Sequence, residues 1–240
     1  MTKFKALAFD VGGSVFDWKT SIETALGNCS FDDAPDLDRG AFAMAWRRQM
    51  FIRLGAVRRG EAAAYSMDDI LELALQDVAA EFPDFSMTDA DAVRLLQAWH
   101  EMPVFPDFPP ALERLKEHYK VVVLTVLSFA IVLDSSKANN MTWDGIISCQ
   151  FLDHYKVDSE AYLEGCQALR LDPSEVCMVA VHPIDLICAK NAGLGTAMIE
   201  PQLGEPDIPG MVLPDAPAPE DYDYYALDFA TLVEKMCGTP

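Results

Sequence analysis

The rhythm of hydrophobic and polar positions divides this chain into three stretches. Residues 3–9 form a short β-prone run that stops at Asp10 and meets Gly12-Gly13-Ser14, which predicts a strand ending in a flexible turn with a carboxylate at its C-terminal end. In open α/β sheets that end is where ligands bind. From about Thr20 to Trp99 the apolar positions recur with helical spacing, over residues 41–54, 66–82 and 88–99, and the last two segments open with Ser66 and Thr88 at N-cap positions. Pro103, Pro106, Pro109 and Pro110 then break the pattern and lead into a helix at residues 111–118. Beyond it, short apolar strands at 120–124, 145–148, 176–181 and 195–199 alternate with helices that begin near Asp158 and Ile184. Such alternation specifies a parallel sheet. The first strand is expected to join this C-terminal half, with the helical block inserted over the strand ends. Residues 201–223, rich in Pro, Asp and Glu, are expected to form a loop held by contact or a flap.

With 240 residues, 51% of them hydrophobic, the chain can build one large domain or a core that carries a smaller one. Its formal charge of −20 repels phosphate backbones and anionic membranes, so no nucleic-acid or membrane partner is expected. The acidic surface reads as a solubility device. Residues 121–133 are the longest nearly apolar run, shorter than the roughly 20 residues that span a bilayer, and read as a buried strand turning into a helix. The N-terminal segment has no export pattern, and the six cysteines contain no CxxC pair. Both features point to reduced thiols and a cytoplasmic location.

Asp10 is the first candidate for chemistry. A carboxylate at a strand end, followed by glycines whose N–H groups can approach a ligand, is a way to hold an anionic substrate beside a nucleophile. Taken alone, the same residue reads as a turn cap. The segment Phe9-Asp10-Val11-Gly12-Gly13-Ser14-Val15-Phe16-Asp17-Trp18 resembles the first motif of the haloacid dehalogenase superfamily, a strand-end Asp followed four residues later by Thr or Ser. Ala45-Trp46-Arg47, His154-Tyr155-Lys156 with Tyr162, and Val179-Ala180-Val181-His182-Pro183-Ile184-Asp185 follow in the order and spacing of its L-2-haloacid dehalogenase branch. The resemblance implies a Rossmann-like α/β core of residues 1–17 and 103–240 with a helical cap, residues 18–102, inserted after the first motif.

It also implies a mechanism. Phosphatases of the superfamily carry a second Asp two residues after the nucleophile, where this chain has Gly12, and metal-dependent members usually pair two acids where Asp185 stands by itself. Too few hard oxygen ligands remain for Mg²⁺, so neither metal nor cofactor is expected. Asp10 would instead attack an sp³ carbon of a small carboxylic acid, and water would hydrolyse the resulting ester. Lys156 would hold Asp10 ionised, and Asp185 would pair with Lys156 and position the water. Ser14 and Thr125 would hydrogen-bond the nucleophile and the substrate carboxylate, while Arg47 would meet the leaving group or that carboxylate. Val11, Gly12, Trp46, Val126, Tyr162 and His182 complete the expected binding set. Thr125 also reads as strand packing, Trp46 and Tyr162 as helix core, and His182 as a neighbour of the site or a base.

Four positions depart from the branch. Val126 replaces the usual Asn that cradles a halide, Gly12 replaces a Phe or Tyr and leaves room for something bulkier, and Val157 and Ala180 replace a Pro and a Ser. Two substrates therefore fit: an L-2-haloacid, or L-azetidine-2-carboxylate, as in a ring-opening hydrolase that resembles this branch and yields 4-hydroxy-2-aminobutyrate. A non-catalytic protein that binds a small carboxylate is the third reading. The chain is expected to act as a monomer or a homodimer.

Overall fold

The computed structural model describes residues 3–29, 37–63, 66–82, 85–204, 215 and 217–238. Its strands are β1 (Ala6–Phe9), β2 (Lys120–Thr125), β3 (Gly145–Ser148), β4 (Val176–Ala180), β5 (Gly195–Ile199) and β6 (Tyr224–Ala226). They form one parallel sheet in the order β3-β2-β1-β4-β5-β6. The first strand in the sequence is thus central, with Phe9 in register with Val123 on one side and Val179 on the other. Flanked on both edges and packed on both faces, β1 is buried throughout, which is why it reads as unbroken apolar sequence without alternation. Strand order reverses between β1 and β4. At such a switch point the connections leave in opposite directions and open a crevice at the C-terminal strand ends.

Helices α1 (Trp18–Gly27), α2 (Arg39–Arg58), α3 (Met67–Glu81) and α4 (Asp89–Ala98) lie between β1 and β2 in sequence. The Ser66 and Thr88 caps form as their sequence implies: each side chain accepts the amide three residues on, and Asp69 and Asp91 return the contact to the cap amide. The remaining helices are α5 (Phe108–Lys116), α6 (Phe129–Ala138), α7 (Ser159–Leu169), α8 (Pro183–Asn191) and α9 (Phe229–Cys237). Neither β6 nor α9 is apparent as a separate element in the sequence. The three residues of β6 are too few for a period, and they become a strand by pairing with the edge of β5. Of the expected 201–223 loop, residues 205–214 and 216 lie outside the described residues. Among the described residues no helix is long and apolar enough to cross a membrane, and all six cysteines are free.

The chain leaves the sheet for α1 and returns from α4 through one crossing. There Asp17 N–H donates to Pro103 O at 2.8 Å, Phe105 N–H donates to Val15 O at 3.0 Å, and Phe16 bridges Val104 in antiparallel fashion. A single apolar cluster runs from Phe9 and Val11 on the sheet side to Trp18, Trp46 and Met50 on the helices. Charged contacts among the described residues also fasten the helices to the sheet layer. Arg58 reaches Asp158 before α7 at 2.5 Å, and His100 spans from Asp68 on α3 (2.9 Å) to Asp134 on α6 (2.7 Å).

The hydrogen bond to Asp68 is the main cause of a raised His100 pKa; partial burial opposes it, and Asp134 adds to the rise. Since the folded value lies above the ordinary 6.5, the His100 contribution to stability is full below that pH and is lost as pH rises through the folded value. Chemical denaturation of wild type and His100→Gln across this window is expected to give stabilities that differ below neutrality and converge at alkaline pH.

Candidate active site

Asp10 follows β1 directly. Its N–H still donates to Val179 O at 3.0 Å, so its main chain is fixed by the sheet while its side chain reaches the crevice beside β4. The next residues turn sharply. Gly13 has φ of +90°, a conformation that favours glycine, and the amides of Val15 and Phe16 both donate to Val11 O. This loop doubles back and returns Ser14 to the carboxylate, where its hydroxyl donates to Asp10 Oδ2 at 2.9 Å and accepts from Val181 N–H at 3.3 Å. The four-residue interval between Asp and Ser is therefore the reach of one turn.

Lys156 arrives from the segment between β3 and α7. Its Nζ donates to Asp10 Oδ1 at 3.1 Å and to Leu124 O at 3.0 Å, and it stands 2.7 Å from Asp185 Oδ2. Asp185 lies in the first turn of α8, inside the helix and beyond its cap position. Its Oδ1 accepts the Tyr162 hydroxyl from α7, and its buried Oδ2 is the oxygen that faces the Lys156 ammonium. Asp10, Ser14, Lys156, Tyr162 and Asp185 are all buried.

Burial sets the electrostatics. It is the strongest single influence on Asp10 and acts to raise its pKa, yet the charge of Lys156, then that of His182, and hydrogen bonds from Lys156 and Ser14 outweigh it and hold Asp10 below the ordinary 3.8. For Asp185 burial again acts upward; Lys156 opposes it, Asp10 reinforces it, and Asp185 ends above 3.8. Burial would lower Lys156, but the two carboxylates raise it well above 10.5. The two acids are thus pushed apart, one toward a permanent anion and the other toward a base, a separation of roles that environments impose on paired carboxylates.

This donor set does not fit a divalent cation. Position 12 carries no carboxylate, and the Lys156 ammonium occupies the place between Asp10 and Asp185 that a metal would need.

Around this centre, Arg47 on α2 is buried, donates from Nη2 to Gly12 O at 3.1 Å, and lies between the rings of Trp18 (4.9 Å) and Phe51 (4.8 Å). His182 Nε2 stands 3.2 Å from Gly12 O and 3.5 Å from Asp10 Oδ2, with 19% of its side chain exposed, so it borders the centre on a side that reaches solvent. Val11 is buried, and Val126 is half-buried against the core.

Two sequence expectations need correcting. Gly12 opens little space: a Cβ there would meet the side-chain ends of Leu127, Cδ1 at 3.3 Å, and Arg47, Nη1 at 3.5 Å. Trp46 belongs to the helical core, fully buried, its indole donating to Leu71 O at 2.9 Å and its ring edge-on to Trp99. The Thr125 hydroxyl accepts from Leu127 N–H at 3.2 Å, which holds the loop after β2 and leaves its own O–H to donate. Trp18, Phe51, Leu127 and the Leu124 carbonyl were not foreseen as parts of the site. Apolar residues and main-chain atoms carry no chemical signature, and only folding brings them to Arg47, Gly12 and Lys156.

A sheet with this switch point, bearing a strand-end Asp held by Lys and Ser, defines a hydrolase of the haloacid dehalogenase type. The chain matches the haloacid dehalogenase-like hydrolase family over residues 4–193 and belongs to it. It is 25% identical over 208 residues to (S)-2-haloacid dehalogenase 4A of Burkholderia cepacia, covering 85% of this chain and 86% of that one. Among solved structures it resembles the L-2-haloacid dehalogenase PA0810 (TM-score 0.87, 29% identity, 98% of this chain and 100% of the other). It is also similar to the defluorinating L-2-haloacid dehalogenase Rha0230 (TM-score 0.86, 29% identity, 98% and 95%).

Removing Lys156 would leave two buried carboxylates without a counter-charge, a loss of about 3–5 kcal/mol when one member of such a pair is deleted. Lys156→Met is therefore expected to lower the urea midpoint at neutral pH. Its Asp10 should also protonate at higher pH, so any turnover that depends on the Asp10 anion fails at a higher pH than in wild type, where Asp10 stays charged to below 3.8. Denaturant titration and a pH–rate profile check the two effects.

Proposed function

We propose that this protein is a metal-independent hydrolase that uses Asp10 as a covalent nucleophile on a small 2-substituted carboxylic acid, with an L-2-haloacid as substrate. The observation that carries the reading is the buried Asp10 carboxylate held ionised by Lys156 and Ser14, with Gly12 where a phosphatase would need its general acid. The dehalogenase activities named for its relatives agree with this chemistry.

In the proposed reaction an Asp10 oxygen attacks C2 of the acid, a C–O bond forms, and the halide leaves with the electrons of the C–X bond. Arg47 supplies the positive charge that attracts the substrate carboxylate or the departing anion. Once Asp10 is an ester its negative charge is gone, and Lys156 then pairs with Asp185 alone. A water beside Asp185 loses one proton to that carboxylate and attacks Asp10 Cγ; the ester Cγ–O bond breaks, the departing oxygen takes the water's other proton to leave as the 2-hydroxy acid, Asp10 is again a carboxylate, and Asp185 returns its proton to solvent. Tyr162 keeps Asp185 turned toward Lys156, and His182 borders the pocket at its solvent side. We further propose that residues 18–102 act as a cap that brings Arg47 to the strand ends, and that their crossing at Asp17 and Pro103 is the boundary.

Ring opening of L-azetidine-2-carboxylate is the second substrate reading, supported by the donorless side chain of Val126. It loses the support once drawn from Gly12, whose surroundings leave little space, and Arg47 would repel a ring ammonium.

A single turnover in heavy-oxygen water with enzyme in excess tests the mechanism. Unlabelled 2-hydroxy acid together with one heavy oxygen in the Asp10 peptide is expected from L-2-chloropropionate, and Asp10→Asn should lower turnover at least about a thousandfold. Label in the first product and none in Asp10 would mean direct attack by water and overturn the covalent reading. Offering L-azetidine-2-carboxylate in parallel decides between the substrates.

A further inference from the structure

Gly12 lies two residues beyond Asp10, and its carbonyl receives both Arg47 and His182. Whatever bounds position 12 therefore bounds the space in front of the nucleophile. On one side that boundary is the Arg47 guanidinium; on the other it is the side chain of Leu127, whose Cδ1 would touch a Cβ at position 12 at 3.3 Å. We infer that Leu127 is a specificity-determining residue: its side chain supplies, from the loop after β2, the apolar wall that position 12 lacks, and limits the size of the group on the carbon Asp10 attacks. The inference rests on the proposed role of Asp10 as nucleophile.

The placement of Leu127 makes this wall rigid. Its N–H donates to Thr125 Oγ1 at 3.2 Å, and its carbonyl accepts from Ser148 Oγ at 2.7 Å, so both main-chain polar groups are tied to the ends of β2 and β3. The following residue, Ser128, caps α6 through Ile131 N–H at 3.2 Å. Leu127 itself is 1% exposed, and its side chain reaches inward to Gly12. A backbone anchored on both sides cannot swing to admit a longer substituent. The polar side of the space, lined by Arg47, takes the carboxylate or the leaving anion, and the substituent on C2 is left to face Leu127. Bulk at 12 and bulk at 127 compete for one volume.

The test measures kcat/KM for chloroacetate, L-2-chloropropionate and L-2-chlorobutyrate in wild type, Leu127→Ala, the milder Leu127→Val, Gly12→Ala and the double variant Gly12→Ala/Leu127→Ala. Since one methylene in an apolar pocket commonly changes selectivity by about tenfold or more, Leu127→Ala should raise the chlorobutyrate-to-chloroacetate ratio by at least about tenfold, with Leu127→Val in between. Gly12→Ala should lose turnover on all three acids, and the double variant should regain it. An unchanged ratio in the folded Leu127 variants, or no recovery in the double variant, would overturn the role of Leu127 alone. Failure of wild type to turn over any of the three would bring down the nucleophile reading and this inference with it.

Discussion

One buried ammonium holds the centre of this molecule together. Lys156 Nζ touches Asp10 Oδ1, Asp185 Oδ2 and the Leu124 carbonyl, which come from the end of β1, the helix after β4 and strand β2. Two buried carboxylates facing each other would repel and take up protons; the lysine between them makes the arrangement tolerable, and the net negative charge that remains splits their proton affinities in opposite directions. The rest of the site accommodates this triad. Ser14 fills one of the remaining acceptor positions of Asp10, and Tyr162 fills one of Asp185. A cation supplied by the chain itself stands where a metal would otherwise be held.

The sheet makes that meeting possible. Asp10 follows β1, while Asp185 sits in the helix after β4, and the two strands are neighbours only because the strand order reverses between them. Leu124 belongs to β2 on the other side of β1. Three adjacent strand ends therefore present their groups to one lysine, which enters from the segment after β3. The helices between β1 and β2 bring Arg47 over the same crevice, and Trp18 and Phe51 hold its guanidinium by their ring faces. That layer is joined to the sheet by shared apolar burial, by the paired crossing at Asp17 and Pro103, and by charged contacts at Arg58 and His100.

Position 12 shows how a local substitution is compensated at a distance. A glycine in that loop reads as an opening, yet the fold closes it with a leucine more than a hundred residues away in the chain and with an arginine from another layer. Packing at interior density leaves few voids, so bulk added at one of two touching positions must come from the volume of the other.

Much of this was legible in the amino-acid order. The apolar run into Asp10, the switch from helical spacing to strand–helix alternation, and the Ser66 and Thr88 caps are local signals whose physics acts within a few residues, and the elements they predict are present. Asp10, Ser14, Lys156, Tyr162 and Asp185 were also visible, because charged and hydroxyl groups in a motif have few structural substitutes, and the structure brings these five together. What the sequence left open was settled by contacts between distant segments. Trp46 turned into the helical core while Trp18 came under Arg47, Thr125 took up the Leu127 amide, β6 arose by pairing with an existing edge, and Gly12 was bounded by side chains from elsewhere in the chain. Local propensity determines which residues form an element, but which face meets which neighbour depends on how apolar volume is shared among all the layers, and that is decided only when the whole chain packs.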